Sequence, residues 1–166
     1  MFNKIEKHVI KPASMIKFDD TDKRILKILQ VDGRITTKEL ASKIHLSNTP
    51  VYERVKKLEK SGVIRKYKAE IDPEKIGKGT VIFIMASMNK HTKDVVDNFK
   101  KQLMSFPEVM EFYYISGNHD VMLKVMVGDM HEFKTFIEEK LSNVDNIYQF
   151  QSIFAISGER KSVFEI

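Results

Sequence analysis

The sequence contains no cysteine and no tryptophan, and only five histidines. Without thiols it can build neither a disulfide framework nor thiolate chemistry. The histidines are scattered, and none falls in an H-x-x-x-H or comparable ligand spacing, so no metal site is expected. No apolar run approaches the roughly 18 residues needed to span a bilayer. No charged start leads into an apolar segment with a small-residue cleavage site. These absences predict a chain that stays in the reducing cytoplasm and has no membrane partner. A Gly-rich phosphate loop, a nucleophile elbow and an acid/base constellation are missing too. His119 and Asp120 are adjacent, but neighbours on a strand point to opposite faces and no nucleophile is linked to them. Neither enzymatic activity nor a cofactor is expected.

What is present is enough apolar material to fold. A hydrophobic content of 42% supports packed cores rather than disorder. The length of 166 residues allows one medium domain or two small ones, and the charge distribution favours two. Residues Met1 to Asp72 carry 17 Lys and Arg against 10 Asp and Glu, whereas Pro73 to Ile166 carry 11 against 13. A basic half followed by a slightly acidic one is the pattern of a polyanion-binding domain joined to a domain with another task. A basic patch could also meet a membrane surface, but the amphipathic helices are short and their apolar faces are needed for a core.

The stretch LASKIHLSNTPVYERVKKLEKSG, Leu40 to Gly62, reads as two short helices joined by a tight turn. Thr36 and Glu39 form a T-x-x-E capping box, after which Leu40, Ala41 and Ile44 recur on one face. Ser47 is a second N-cap, and Pro50 falls in the first turn, where its missing N–H costs little. Val51, Val55 and Leu58 keep helical spacing up to Gly62. Advancing 100° per residue throws Thr49, Pro50, Glu53, Lys56 and Lys57 onto the opposite side. An apolar inner stripe with a capped, polar and basic outer face is the physical form of a recognition helix for duplex DNA. Thr49, Pro50 and Glu53 lie where base edges would be met, and Lys56 and Lys57 suit phosphates. Ser47 positions the helix, and backbone N–H groups beside it can grip a phosphate. Arg54 flanks the core stripe, so a phosphate and an acidic neighbour are both open as its partner.

Residues 1–17 show no sustained period and are expected to be a disordered extension: an upstream start, an artefact or a basic arm. Asp19, with Asp22 three residues on, caps a first helix through Ile25, Leu26 and Leu29 that ends at Gly33. Val63 to Ile71 alternates imperfectly and predicts a short two-stranded wing, closing a winged helix-turn-helix domain over 18–72. Beyond Gly77 the period changes. Val81 to Met88 is an apolar run of strand length, expected to be buried on both faces. A helix through Val95, Phe99 and Leu103 follows, then strands Val109–Ser116 and Val121–Val127 about a turn at Gly117 to His119. A helix opened by Asp129 and Glu132 carries Phe133, Phe136, Ile137 and Leu141, and a last strand runs from about Ile147 to Ile156. The order βαββαβ predicts an α+β, ferredoxin-like domain over 73–166, with both helices on one sheet face. The other face needs a cover, and a homodimer supplies the simplest one, the alternative being a monomer covered by its own C-terminal tail.

The segment from Phe18 to Gly77 resembles the N-terminal half of the leucine-responsive regulatory protein/AsnC (Lrp/AsnC) family of transcription regulators. EFYYISGNHDVMLKV is similar to that family's ligand-sensing and assembly module. The resemblance runs from Phe18 to about Ser157. The chain departs from the family pattern at His45, where Gly is usual, and at Asn118, where the sensing loop is usually acidic. The resemblance implies an amino-acid effector bound at Ser116, Gly117, Asn118, His119 and Asp120, where dimers meet within a larger ring or octamer. Gly117 permits close backbone approach, Asn118 offers donor and acceptor, and Asp120 can pair with an α-ammonium group. The turn could also be a plain hairpin turn. The expected function is a sequence-specific, nucleoid-associated transcription regulator that answers to a small molecule. The alternative is an architectural DNA-binding protein with no effector response.

Overall fold

A computed structural model describes residues 17–159, 161 and 163–166, and the expected N-terminal extension lies outside them apart from Lys17. The chain forms two units, one made of the residues through Ala69 together with the end of the chain, the other of Glu70–Glu159.

Three helices build the first unit: α1 (Asp20–Val31), α2 (Thr37–Lys43) and α3 (Asn48–Lys60). Both expected capping boxes form. Asp19 accepts from the Asp22 N–H at 2.8 Å, and Thr36 accepts from the Glu39 N–H at 3.2 Å. Each satisfies a backbone donor that the first helical turn leaves over. Ser47 occupies the N-cap position of α3, but its side chain makes no capping bond. The core is thin: Ile25, Leu26, Leu40, Ala41, Ile44, Val51 and Leu58 are buried, and Val55, Val63 and Ile64 pack partly against them. Val63 to Ile71, expected as a two-stranded wing, forms no strand among the described residues. Only its first residues are half-buried, and Arg65 to Ile71 are exposed, so no apolar face holds a hairpin down. The end of the chain completes this unit instead. Ile166 packs on the helical core, and the Gln30 side chain both accepts from the Phe164 N–H at 2.6 Å and donates to its carbonyl at 3.2 Å.

The second unit follows the expected βαββαβ order. Strand β1 (Thr80–Met88) leads into α4 (Lys93–Met104), β2 (Val109–Tyr114), β3 (Val121–Val127), α5 (Met130–Thr135) and β4 (Ile147–Phe154). The sheet is antiparallel in the order β2-β3-β1-β4. Strand β1 is not buried on both faces. Ile82, Ile84, Ala86 and Met88 are buried, and the residues between them are half-buried. The helices cover one face only, so the alternation of side chains exposes the other. Phe99, Leu103, Phe133, Phe136 and Leu141 fill the covered side. The helix opened by Asp129 does not continue as α-helix. It widens into a π turn over Phe136–Lys140 and tightens into a 3-10 turn over Leu141–Asn143. The wider turn brings residues five apart onto one side, and Phe136 and Leu141 are both fully buried.

The turn between α2 and α3 carries one strained position. His45 has φ of 56°, the left-handed region where an L side chain crowds its own backbone. His45→Gly is expected to raise the unit's stability by about 1 kcal/mol. Urea denaturation of the full chain measures this, and an unchanged or lowered midpoint contradicts it.

Candidate functional site

The exposed side of α3 is assembled as its spacing requires. Ser47, Asn48, Thr49, Pro50, Tyr52, Glu53, Lys56 and Lys57 are all exposed, while Val51 and Leu58 face the core. Glu53, Lys56, Lys57, Lys60 and Ser61 line one shallow groove along the helix. Its basic residues are not equally free. Lys56 pairs with Glu59 at 3.1 Å and sits over the Tyr52 ring at 5.7 Å, and Glu59 also accepts from the Tyr67 hydroxyl at 3.1 Å. Lys57 makes no ion pair among the described residues. The open N-terminal turn of α3, with an uncommitted Ser47 hydroxyl, leaves backbone N–H groups facing outward. Asn48 and Lys60 join this surface although the expected contact set omitted them. The 53, 56, 57, 60 spacing was the available signal for Lys60.

Arg54 points inward to acid. Its Nη1 lies 2.6 Å from Asp19 Oδ2 and 2.7 Å from Asp22 Oδ1. The same two aspartates form the capping box of α1, so the start of α1 and the middle of α3 share one charge network. The Asp22 N–H and then Arg54 hold the Asp19 carboxyl below the usual carboxylate range. Of the two partners open to Arg54 in the sequence, the structure supplies the acidic one.

In the second unit, Ser116, Gly117 and Asn118 are exposed at the tip of the β2–β3 connection, and Gly117 has φ of 131°. The Ile115 N–H donates to the Asp120 carbonyl at 2.8 Å and closes the turn. His119 and Asp120 turn to different partners. His119 Nδ1 is 3.3 Å from Ser87 Oγ. Asp120 Oδ2 accepts from the Met88 N–H at 2.8 Å and lies 3.0 Å from His91 Nε2. Burial pushes the Asp120 carboxyl up, but the Met88 N–H and His91 outweigh it and leave it below the ordinary range. The sequence did not point to Ser87, Met88 or His91. The register that sets Ala86 opposite Val121 brings Ser87 and Met88 to the turn, and His91 reaches it from the loop after β1. No group of three or more His, Cys, Asp or Glu among the described residues could hold a metal.

A helix-turn-helix unit with an outward basic helix, joined to a ferredoxin-like unit with a polar turn at one end, defines a DNA-binding protein with a separate ligand-binding domain. Residues 18–65 match the winged helix-turn-helix DNA-binding family, and residues 81–162 match the Lrp/AsnC ligand binding domain. The Bkd operon transcriptional regulator of Pseudomonas aeruginosa is 32% identical over 142 residues, covering 86% of this chain and 93% of that protein. The leucine-responsive regulatory protein of Escherichia coli is 33% identical, covering 78% and 79%. A transcriptional regulator of Neisseria meningitidis, solved as its complex with L-Met, superposes with a TM-score of 0.82 at 32% identity, covering 87% and 94%. The chain belongs to the Lrp/AsnC family of transcription regulators.

The Arg54 network carries a pH signature. Asp19 has its carboxyl depressed in the folded state, so its contribution is present at neutral pH and is lost as pH falls through that lowered value. Stability should therefore begin to drop below about pH 4. In Arg54→Gln that acid-side loss should shrink, as read from thermal unfolding across pH. An identical profile in the two proteins contradicts the role given to Arg54.

Proposed function

We propose that this regulator reads duplex DNA with the outer face of α3 and answers to an amino acid at the Ser116–Asp120 turn. The observation that carries the DNA half is the exposed, uncapped N-terminal turn of α3, with Lys57 exposed toward the other end of the same helix. Thr49 and Glu53 meet base edges, with Pro50 beside them in the groove, and Lys56 and Lys57 meet phosphates. Ser47 offers its hydroxyl and the neighbouring N–H groups to another phosphate. Arg54 serves indirectly, by fixing α3 against α1. The ligand half is supported by the oriented carboxylate of Asp120 and by the L-Met complex of the Neisseria meningitidis relative. In this reading the chain regulates transcription by binding, works at the nucleoid in the cytoplasm, and catalyses no reaction. No helix among the described residues is long and apolar enough to cross a membrane.

Assembly follows from the sheet. Phe83, Met85, Met122, Met126 and Ile153 lie on the face opposite the helices, by alternation and register, and Ile153 is exposed. A two-fold copy burying this face is the simplest cover, and dimers then gather into an octamer or similar ring. Two recognition helices related by a dyad fit half-sites about one helical turn apart, or a multiple of it.

Lys57→Ala should weaken all DNA sites alike and reduce the slope of log affinity against log salt by about 0.9. Changing Thr49 or Glu53 should instead alter preference at one base pair by about 1–3 kcal/mol. Footprinting on the protein's own upstream region, with and without each of the twenty amino acids, measures both halves. Sequence preference unmoved by any of these changes refutes the interface. Protection that no amino acid alters favours the architectural alternative. For assembly, light scattering should find the full chain dimeric or larger and Phe83→Glu shifted toward monomer. A monomeric wild type at micromolar concentration overturns the sheet-face dimer.

A further inference from the structure

The carboxylate of Asp120 is held from one side. The Met88 N–H and His91 Nε2 both meet Oδ2, at 2.8 and 3.0 Å, and no hydrogen bond from a described residue reaches Oδ1. The site is partly open, with side-chain exposures of 47% for His91 and 28% for Asp120. His91 comes from the loop after β1, where the Lys90 backbone is pinned by Asn146 through its N–H and its carbonyl. Two other titratable groups face the carboxylate. His119, beside it in the turn, is directed to Ser87. Tyr114, from β2, has its phenol pushed up by burial and then by the charge of Asp120.

We propose that His91 is a proton gate on amine binding at Asp120, an inference that rests on the effector site proposed above. Neutral His91, donating from Nε2, holds the carboxylate with Oδ1 turned toward a ligand's ammonium group and leaves the full negative charge in place. Protonated His91 forms an ion pair with the same carboxylate and cancels most of that attraction. Imidazole is the side chain that ordinarily changes charge between pH 5 and 8. Ammonium affinity therefore rises with pH across this range. A carboxylate without the gate is ionised throughout it and gives no such rise. The gate also selects its ligand class. A cation at the α-position is sensed, and an uncharged analogue of the same shape feels no pH dependence from this source.

The full chain and its His91→Gln variant, which keeps a neutral donor, are titrated with L-methionine by calorimetry at about pH 5.5 and about pH 8. For a partly exposed ion pair, wild type should bind about fivefold more tightly at the higher pH, and His91→Gln equally at both. The same pH dependence in His91→Gln overturns the gate, as does a profile flattened by His119→Gln instead. If neither protein binds L-methionine or any other standard amino acid at about pH 8, the effector reading fails and the gate fails with it. That result is distinct from failure of the gate alone, in which wild type binds L-methionine at about pH 8 with an affinity that pH does not change.

Discussion

The tie from Arg54 to Asp19 and Asp22 is the contact on which the placing of α3 and its exposed basic face depends. The three-helix unit buries few apolar side chains, and a core that thin leaves the angle between α1 and α3 weakly specified by packing alone. A guanidinium held by two carboxylates adds directional, charge-assisted bonds at the middle of α3. Those carboxylates also cap α1, so the network that starts one helix aims another. Arg54 is thus committed to the packing of α3 on α1, and the exposed polar groups of α3 lie to either side of it.

In the second unit the corresponding constraint is register. The pairing of β1 with β3 sets the end of β1 against the turn before β3 and brings Met88 to Asp120, while His91 arrives from the loop after β1 that Asn146 holds at Lys90. A slip of one residue would turn every side chain of β1 to the other face. Ile82, Ile84 and Ala86 would leave the core, and the Asp120 carboxylate would lose its backbone donor. Stability and the chemistry of the turn are therefore fixed by the same hydrogen-bond ladder. At the entry to that ladder Gly128 sits so close to the Gly77 carbonyl that an added Cβ would fall 2.7 Å from it, which locks the approach to β1 against the end of β3.

The helices and strands were legible because each carries a local signature. Two capping boxes, the Val51–Val55–Leu58 stripe and the alternation of Val121–Val127 depend only on near neighbours in the chain. The wing was misread because Val63–Ile71 has β-forming residues but no apolar face to hold a hairpin, and composition cannot reveal that. Strand β1 looked buried twice because its open face is apolar as well. A sequence cannot say whether such a face meets its own helices or another copy. The fate of Arg54 and the approach of His91 to Asp120 depend on contacts between segments distant in sequence. No spacing rule reaches that far. The π turn at Phe136–Lys140 was hidden for a different reason: Phe133, Ile137 and Leu141 keep a helical i, i+4, i+8 spacing that masks the change of winding.

The return of Phe164 and Ile166 to the helical unit makes that unit discontinuous along the chain. Its three helices lie before Ala69, the contact of Ile166 with their core comes from far beyond it, and the whole of the other unit is threaded between the two. A fragment cut at Ala69 would keep α3 but lose Ile166 and the two bonds between Gln30 and Phe164. The helical unit therefore cannot be excised as one continuous piece of sequence without removing part of its own packing.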